Sequence, residues 1–291
     1  MITCFGEILV DMLQRADGTS VRHVGGAPFN VAVSAARNGA DVCFVGRVGH
    51  DDNGRFLLDA VPAYGVHTRI GLDSAHATTV ALVTLDAAGE RSFRFLREDA
   101  ADYMLSASDI RIEPSTTIVH LGTLMLNKPQ GRAFADEVLR EARTCGALLS
   151  VDANFRSDLF VTEALRNEVM GPYLMAADIL KLGADELASL TGVSGIDEGV
   201  RALGYKGMLF VTDGASDSRV YWQGHVASAR PPHLDRVVDT TGAGDAFYGA
   251  VLAGLDDIYR RQCQPTMDGL RHILEMANRC GAAATQTEGA L

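Results

Sequence analysis

At 291 residues, with 47% hydrophobic and 22% charged side chains, the chain can bury one large core, which excludes a minimal binding module, a disordered segment and a fibrous repeat. A formal net charge of -11 without a Lys/Arg cluster argues against coating nucleic acid, so a nucleotide ligand must be held by backbone amides, a few basic side chains and a metal ion. Five cysteines without a C-x-x-C pair point away from a disulfide framework or zinc site and toward a reduced cytoplasm. The opening Met1-Ile-Thr-Cys-Phe-Gly-Glu7 lacks the basic and apolar regions of an export signal, and no window reaches the length of a membrane span.

Strand signals begin at Ile2 to Phe5 and end in Gly6-Glu7. Gly25-Gly-Ala-Pro28 then leads into a helical stretch from Phe29 to Arg37, where Pro28 suits the first turn. A strand over Val42 to Val45, broken by Gly46 and Gly49, precedes a helix from Asn53 to about Tyr64. The texture changes from Val66 to Leu96, where Thr78 to Leu85 and Arg91 to Phe95 flank Asp86-Ala-Ala-Gly89 as the arms of a β-hairpin would. Because this segment interrupts an alternating pattern, a lid is preferred to an ordinary sheet edge.

From Ile118 onward, strand-like runs at 118–121, 148–151, 179–182 and 207–212 alternate with helical runs, including those near 132–144 and 162–175. Such alternation predicts an α/β fold, a three-layer sandwich with a mostly parallel central sheet and a small β-sheet lid. No repeat, low-complexity tract or long linker divides the chain into independently folding domains.

Chemistry concentrates in Val238-Asp-Thr-Thr-Gly-Ala-Gly-Asp-Ala-Phe-Tyr-Gly249, which joins an extended stretch to an amphipathic helix. Gly242 and Gly244 allow a tight turn whose amides face an anion at the helix N-terminus. A carboxylate beside such a turn, Asp245, is unfavourable unless it takes a proton or orients a cation. An acceptor hydroxyl undergoing phosphoryl transfer needs such a base. For an isolated G-x-G, a simple helix cap would be the better reading; the longer run is more specific.

Asp239-Thr-Thr-Gly-Ala-Gly-Asp-Ala-Phe247 resembles the C-terminal signature of the ribokinase family, also called the phosphofructokinase-B family. Gly25-Gly-Ala-Pro-Phe-Asn-Val-Ala32 with Gly46-Arg-Val-Gly-His-Asp-Asp-Asn-Gly54 is similar to its N-terminal signature, and the order matches from Gly6 to Gly289. The resemblance implies one kinase domain over 1–291 with lid segments near 11–24 and 66–97. It also implies a homodimer formed through the lid, and transfer of phosphate from ATP to a sugar with Mg²⁺ and K⁺.

By position, the resemblance places sugar hydroxyls on Asp11, Gly25, Gly26 and Asn30, makes Asp245 the base beside Gly242, and assigns the anion hole to the amides of Ala243 and Gly244. Asp152-Ala-Asn-Phe-Arg156 resembles the family's D-x-N-x-R element, which implies Asn154 and Arg156 at the sugar or the transferred phosphate. On local sequence alone, Asp152 and Arg156 serve equally well as a surface pair. Lys181-Leu-Gly-Ala-Asp-Glu186 aligns with the N-x-x-E element, with Gly183 in place of Asn; it implies Lys181 on the nucleotide side and Glu186 organising Mg²⁺ through water. In the nucleotide loop, Thr212 and Gly214 are kept and Asp217 replaces the second glycine. Asn278 and Gly281 would border the adenine, and carbonyls of Asp239 and Thr241 with the loop containing Gly289 would hold K⁺.

The opening Gly6-Glu-Ile-Leu-Val-Asp11 with Gly25-Gly-Ala-Pro-Phe-Asn30 looks most like fructokinases, which implies conversion of fructose to fructose 6-phosphate. Arg97, at the end of Phe93-Arg-Phe-Leu-Arg97, also fits a 2-keto-3-deoxygluconate kinase that binds the acid's carboxylate. Ribose, purine nucleosides and aminoimidazole riboside are alternatives within the family, and a non-catalytic sugar or nucleotide sensor lies outside it. The first strand is not followed by G-x-G-x-x-G, and no G-x-x-x-x-G-K-[ST] occurs, which argues against a dinucleotide oxidoreductase and a Walker A hydrolase.

Overall fold

Among the described residues, 1–15, 18–85 and 91–291 of a computed structural model, two sheets form. The larger contains β1 (Ile2–Phe5), β4 (Val42–Gly49), β5 (His67–Asp73), β8 (Ile118–Leu121), β9 (Leu148–Asp152), β10 (Ile179–Gly183), β11 (Met208–Thr212), β12 (Ser218–Trp222) and β13 (His225–Ala229). Its order is β13-β12-β11-β10-β9-β8-β1-β4-β5. Pairing is parallel from β5 to β11 and antiparallel through β12 and β13.

Period-two alternation sends Ile2 and Cys4 to one face and Phe5 to the other, so each face carries its own apolar core. One core packs beneath α1 (Ala27–Arg37), α2 (Asp52–Ala60), α7 (Ala243–Arg260) and α8 (Met267–Ala284), with Phe29, Phe44, Tyr248 and Leu274 at its centre. The other packs beneath α3 (Pro129–Cys145), α4 (Glu163–Ala176), α5 (Ala184–Thr191) and α6 (Ile196–Leu203), around Phe5, Phe134, Leu174 and Leu187. This is the expected sandwich.

The smaller sheet joins β2 (Leu9–Gln14), β3 (Ser20–Gly25), β6 (Val80–Leu85) and β7 (Arg91–Leu96) in the order β3-β2-β6-β7. The hairpin turn expected at Asp86 to Gly89 lies outside the described residues. One expected boundary changes: the stretch from 66 was placed with the lid, but β5 pairs in parallel with β4, from Cys43 opposite His67 to Gly49 opposite Asp73. As an edge strand with no fully buried position, it has the half-polar texture of a small-sheet strand. Nor does Gly46 break β4. A Cβ there would lie 2.6 Å from the Phe44 ring, so the glycine makes room for that core side chain. Pro62 falls in a 3-10 turn, Val61–Tyr64, and the α-helix before it ends at Ala60.

Helix α7 is fixed from two sides. Buried on the sheet, the Tyr248 hydroxyl lies 2.7 Å from Ser150 Oγ, 3.1 Å from the Ile179 carbonyl and 3.2 Å from the Val151 carbonyl. On its other flank it meets α1 so closely that a Cβ on Gly249 would lie 2.5 Å from both Ser34 Cβ and the Val31 carbonyl. Ser34 Oγ donates to the Ala246 carbonyl at 2.6 Å across the same contact. Among the described residues no helix is long and apolar enough to cross a membrane. Gly249→Ala is expected to cost about 1–3 kcal/mol by overpacking the α1/α7 contact. A urea midpoint equal to that of the parent would show that the two helices have slack.

Candidate active site

The strand order reverses at β1, whose neighbours β4 and β8 lead the chain outward in opposite directions, and the crevice beyond the strand ends at such a reversal is where α/β sheets bind ligands. A cavity of about 570 Å³ lies there. One wall comes from the small sheet, through Asp11 and Phe95. The other comes from Gly26 and Asn30 of the α1 start and from the turn preceding α7, while Asn154, Arg156 and Lys181 enter from the ends of β9 and β10.

The turn takes its shape from Gly242, the N-cap of α7, at φ 75. A Cβ at this position would lie 2.6 Å from Ala290 Cβ, so conformation and packing both favour glycine. The Ala243 amide donates to the Thr240 carbonyl at 3.2 Å, closing the turn on itself. Gly244, the next residue, opens the face of the turn that lines the cavity. Lys181 reinforces that face, since its Nζ would lie only 3.2 Å from a Cβ on Gly244.

Asn30 is buried on α1 and its Nδ2 donates to Asp245 Oδ2 at 2.8 Å, a contact that the close packing at Gly249 allows. Burial raises the Asp245 carboxyl above its ordinary range, while Asn30, Lys181 and Arg156 pull it down. The sequence placed Asn30 on the sugar; in the structure its amide holds the carboxylate expected to be the base.

Asp152 does not form a surface pair with Arg156. It is buried, with Lys181 Nζ 3.0 Å from its Oδ2. Burial pushes the Asp152 carboxyl up to about 7 despite that ammonium. Burial alone would lower Lys181, but Asp152, Glu186 and Asp245 outweigh it and keep the amine charged. Arg156 faces the cavity, and Asn154 holds a left-handed backbone at φ 42, a strained conformation typical of ligand sites. Gly25 leaves room for the Asp11 carboxylate, and Gly26, at φ 108, lets the Glu7 carbonyl approach a position where a Cβ would be 2.5 Å away.

A second cavity, about 1180 Å³, contains Thr212, Gly214, Asn278 and Gly281, and it shares Val237, Thr240 and Gly244 with the first. The two cavities therefore meet at the glycine turn. Asn278 lines the larger one while its Nδ2 donates to the Ala229 carbonyl at 2.9 Å. Gly281 lies within α8.

Glu186 lines neither cavity. Its Oε2 accepts from the Gly183 amide at 2.6 Å, capping α5, and its Oε1 accepts from the Phe155 amide at 2.7 Å. Asp239 Oδ1 accepts from the Thr241 amide at 2.9 Å and Oδ2 from the Gly289 amide at 2.7 Å, so all three expected cation-site residues do come together.

Arg97 is the clear departure. Its guanidinium is buried and turned inward onto Asp102, the Tyr103 hydroxyl and the Leu124 carbonyl, so it offers no charge to a substrate in the cavity. A basic residue after an exposed hairpin looks available in sequence; Asp102, five residues on, takes it into the core. Sequence reasoning also passed over Glu7, which lines the cavity and is 1% exposed. Its position at the end of the first parallel strand was the available signal.

Fold and site together define a carbohydrate kinase: the chain matches the pfkB family of carbohydrate kinases over residues 1–291 and belongs to it. It is 34% identical over 294 residues to a fructokinase of Klebsiella pneumoniae, a match covering 100% of this chain and 94% of that protein. It is also 34% identical over 304 residues to a probable fructokinase-4 of Arabidopsis thaliana, covering 100% and 92%. A fructokinase double mutant from Vibrio cholerae O395, solved with fructose, ADP and potassium ion bound, superposes with a TM-score of 0.91 at 30% identity, over 99% of this chain and 93% of that one.

Replacing Lys181 by Met leaves Asp152 buried without its counter-ion, an expected loss of about 3–5 kcal/mol. Because Asp152 escapes the penalty by taking a proton, the loss should be larger at pH 8 than at pH 5 in urea unfolding. Equal losses at both pH values would mean that Asp152 does not depend on this ammonium.

Proposed function

We propose that the chain is an ATP-dependent fructokinase that phosphorylates the terminal hydroxyl of fructose to give fructose 6-phosphate. The observation carrying this reading is the junction of the two cavities at Gly244, with Asp245 on the acceptor side and Lys181 against the turn. Fructose in the smaller cavity and ATP in the larger would bring the sugar oxygen and the γ-phosphorus together at that turn. Asp245 takes the hydroxyl proton, the oxygen attacks in line, and the amide face with Lys181 and Arg156 stabilises charge on the moving phosphoryl group.

The inward turn of Arg97 favours a neutral sugar over 2-keto-3-deoxygluconate. The acceptor end of the cavity contains the carboxylates Glu7, Asp11 and Asp245, an unfavourable setting for an anionic acceptor. Asn154 and the Asn30 carbonyl oxygen complete a set of groups suited to a polyol. An intact base beside an intact turn likewise favours catalysis over a sensor.

Glu186 would hold Mg²⁺ through water, which suits a carboxylate already accepting two backbone amides. When bound, Mg²⁺ neutralises phosphate charge. Asp239, Thr241 and Gly289 would form the K⁺ site, drawn together by the Asp239 carboxylate. The small sheet would close over the sugar and form the homodimer contact. Five free cysteines support a cytoplasmic setting.

ADP release with MgATP, KCl and a panel of fructose, 2-keto-3-deoxygluconate, ribose, adenosine and aminoimidazole riboside should show a strong preference for fructose. Preference for another acceptor would replace the substrate, and sugar binding without turnover would favour the sensor. Asp245→Asn should reduce kcat about a hundredfold or more, with fructose still protecting the protein against heat; substantial turnover would remove Asp245 from the base role. Asn30→Ala removes a donor that lowers the Asp245 pKa, so the acid limb of the kcat/KM profile should move to higher pH. A limb that stays in place would separate that limb from Asp245.

A further inference from the structure

The crossings between the two sheets carry charges that phosphoryl transfer leaves without a task. The chain leaves β1 for β2 through Gly6, Glu7 and Ile8, and returns from β7 through Arg97 to the turn Ala101–Met104. At the second crossing, Arg97 Nε donates to Asp102 Oδ2 at 3.0 Å, and Nη1 donates to the Tyr103 hydroxyl at 2.9 Å and the Leu124 carbonyl at 2.7 Å; Nη2 also pairs with Asp102. A guanidinium has five N–H groups, so one on Nη2 is left over. Asp102 Oδ1 accepts from Thr79 Oγ1 at 2.6 Å, tying in the start of β6.

At the first crossing, Glu7 is 1% exposed and neither carboxyl oxygen has a hydrogen-bond partner among the described residues. A buried carboxyl without a donor destabilises the protein that contains it. The cation nearest in effect is Arg97, whose carbonyl partner Leu124 lines the sugar cavity along with Phe95, two residues before Arg97.

We propose that Glu7 is a positioning residue for the acceptor: its carboxyl is a second seat for the Arg97 guanidinium, taken up as the small sheet moves onto a sugar held by Asn30 and Asp245. This rests on reading the smaller cavity as the sugar site. In the empty protein the spare donor and the two spare acceptors lie on different crossings. With the sugar bound, Arg97 bridges Asp102 and Glu7 and fixes the wall that carries Asp11 and Phe95.

The charged groups acting on Glu7 are Arg97 after β7, Asp102 in the following turn and Asp245 at the α7 start. Burial pushes Glu7 up to about 7 from an ordinary 4.5; Arg97 and, less strongly, the residue's own backbone amide oppose it, and the two aspartates add to the rise. Its contribution to stability is therefore complete below pH 4.5 and lost as the pH rises through about 7.

The test is Glu7→Gln, compared with the parent using fructose. Without sugar, the variant should melt above the parent at pH 8 and level with it near pH 4.5, whereas a merely structural carboxyl would make it melt lower. Its KM for fructose should rise about tenfold or more, with the KM for ATP nearly unchanged. Calorimetry of fructose binding at pH 7, in buffers of different ionisation enthalpy, should show proton release by the parent and none by the variant. A parent-like fructose KM, or a lower melting temperature at pH 8, would overturn the role of Glu7 while leaving fructokinase activity standing. Should the variant fail to fold, the absence of proton release by the parent would overturn it as well. A parent that phosphorylates no sugar removes the functional reading and this inference together.

Discussion

The site depends on one contact, the 2.8 Å hydrogen bond from Asn30 on α1 to Asp245 at the start of α7. Those residues are 215 positions apart in the chain and meet because Gly249 brings the two helices to backbone contact. Tyr248, the residue before it, anchors the opposite flank of α7 to the carbonyls of two central strands. The carboxylate is thus referred to the sheet through one helix and to the acceptor cavity through another. Little freedom remains for the proposed base, which would have to meet a hydroxyl within hydrogen-bonding distance.

An acidic protein that binds a polyanion must concentrate its few cations, and here they are concentrated by burial. Lys181 is kept charged by Asp152, Glu186 and Asp245, although burial by itself acts to lower its pKa. Asp152 is in turn buried only because Lys181 is 3.0 Å away. Neither group suits the interior without the other, and together they set an ammonium against the amide face of the glycine turn. Net charge therefore says little about local potential at a site whose fields are set by low-dielectric walls.

Much of this was legible in the sequence because it was local. The glycine turn, its carboxylate, Pro28 in the first turn of α1 and the strand-helix alternation are all specified by neighbours within a few residues. Readings that failed were those decided across the fold. Arg97 looked available until Asp102 and the Leu124 carbonyl took it inward. Glu186 caps α5 as well, a role that its place three residues after Gly183 signals, and its metal role stays a proposal. The strand at His67 looked like part of the small sheet because an exposed parallel edge and a two-layer hairpin have similar half-polar patterns.

Two cavities that meet at the glycine turn and the Val237 before it impose an order on the chemistry. A phosphoryl group can pass between them at Gly244, whereas the rest of each ligand stays in its own enclosure, one between the two sheets and the other among the loops after β11 and helix α8. On the proposed reading, a change of acceptor falls on the walls around Asp11 and Asn154, while Asn30, the turn, Lys181 and the larger cavity stay as they are. The acidic acceptor end and the withdrawn Arg97 act by exclusion: an anionic sugar would meet Asp11 and Asp245 without Arg97 to offset them, while a neutral polyol has many acceptors to bond. On the proposed reading, specificity lies in the small sheet and its crossings, and the reaction lies in the turn.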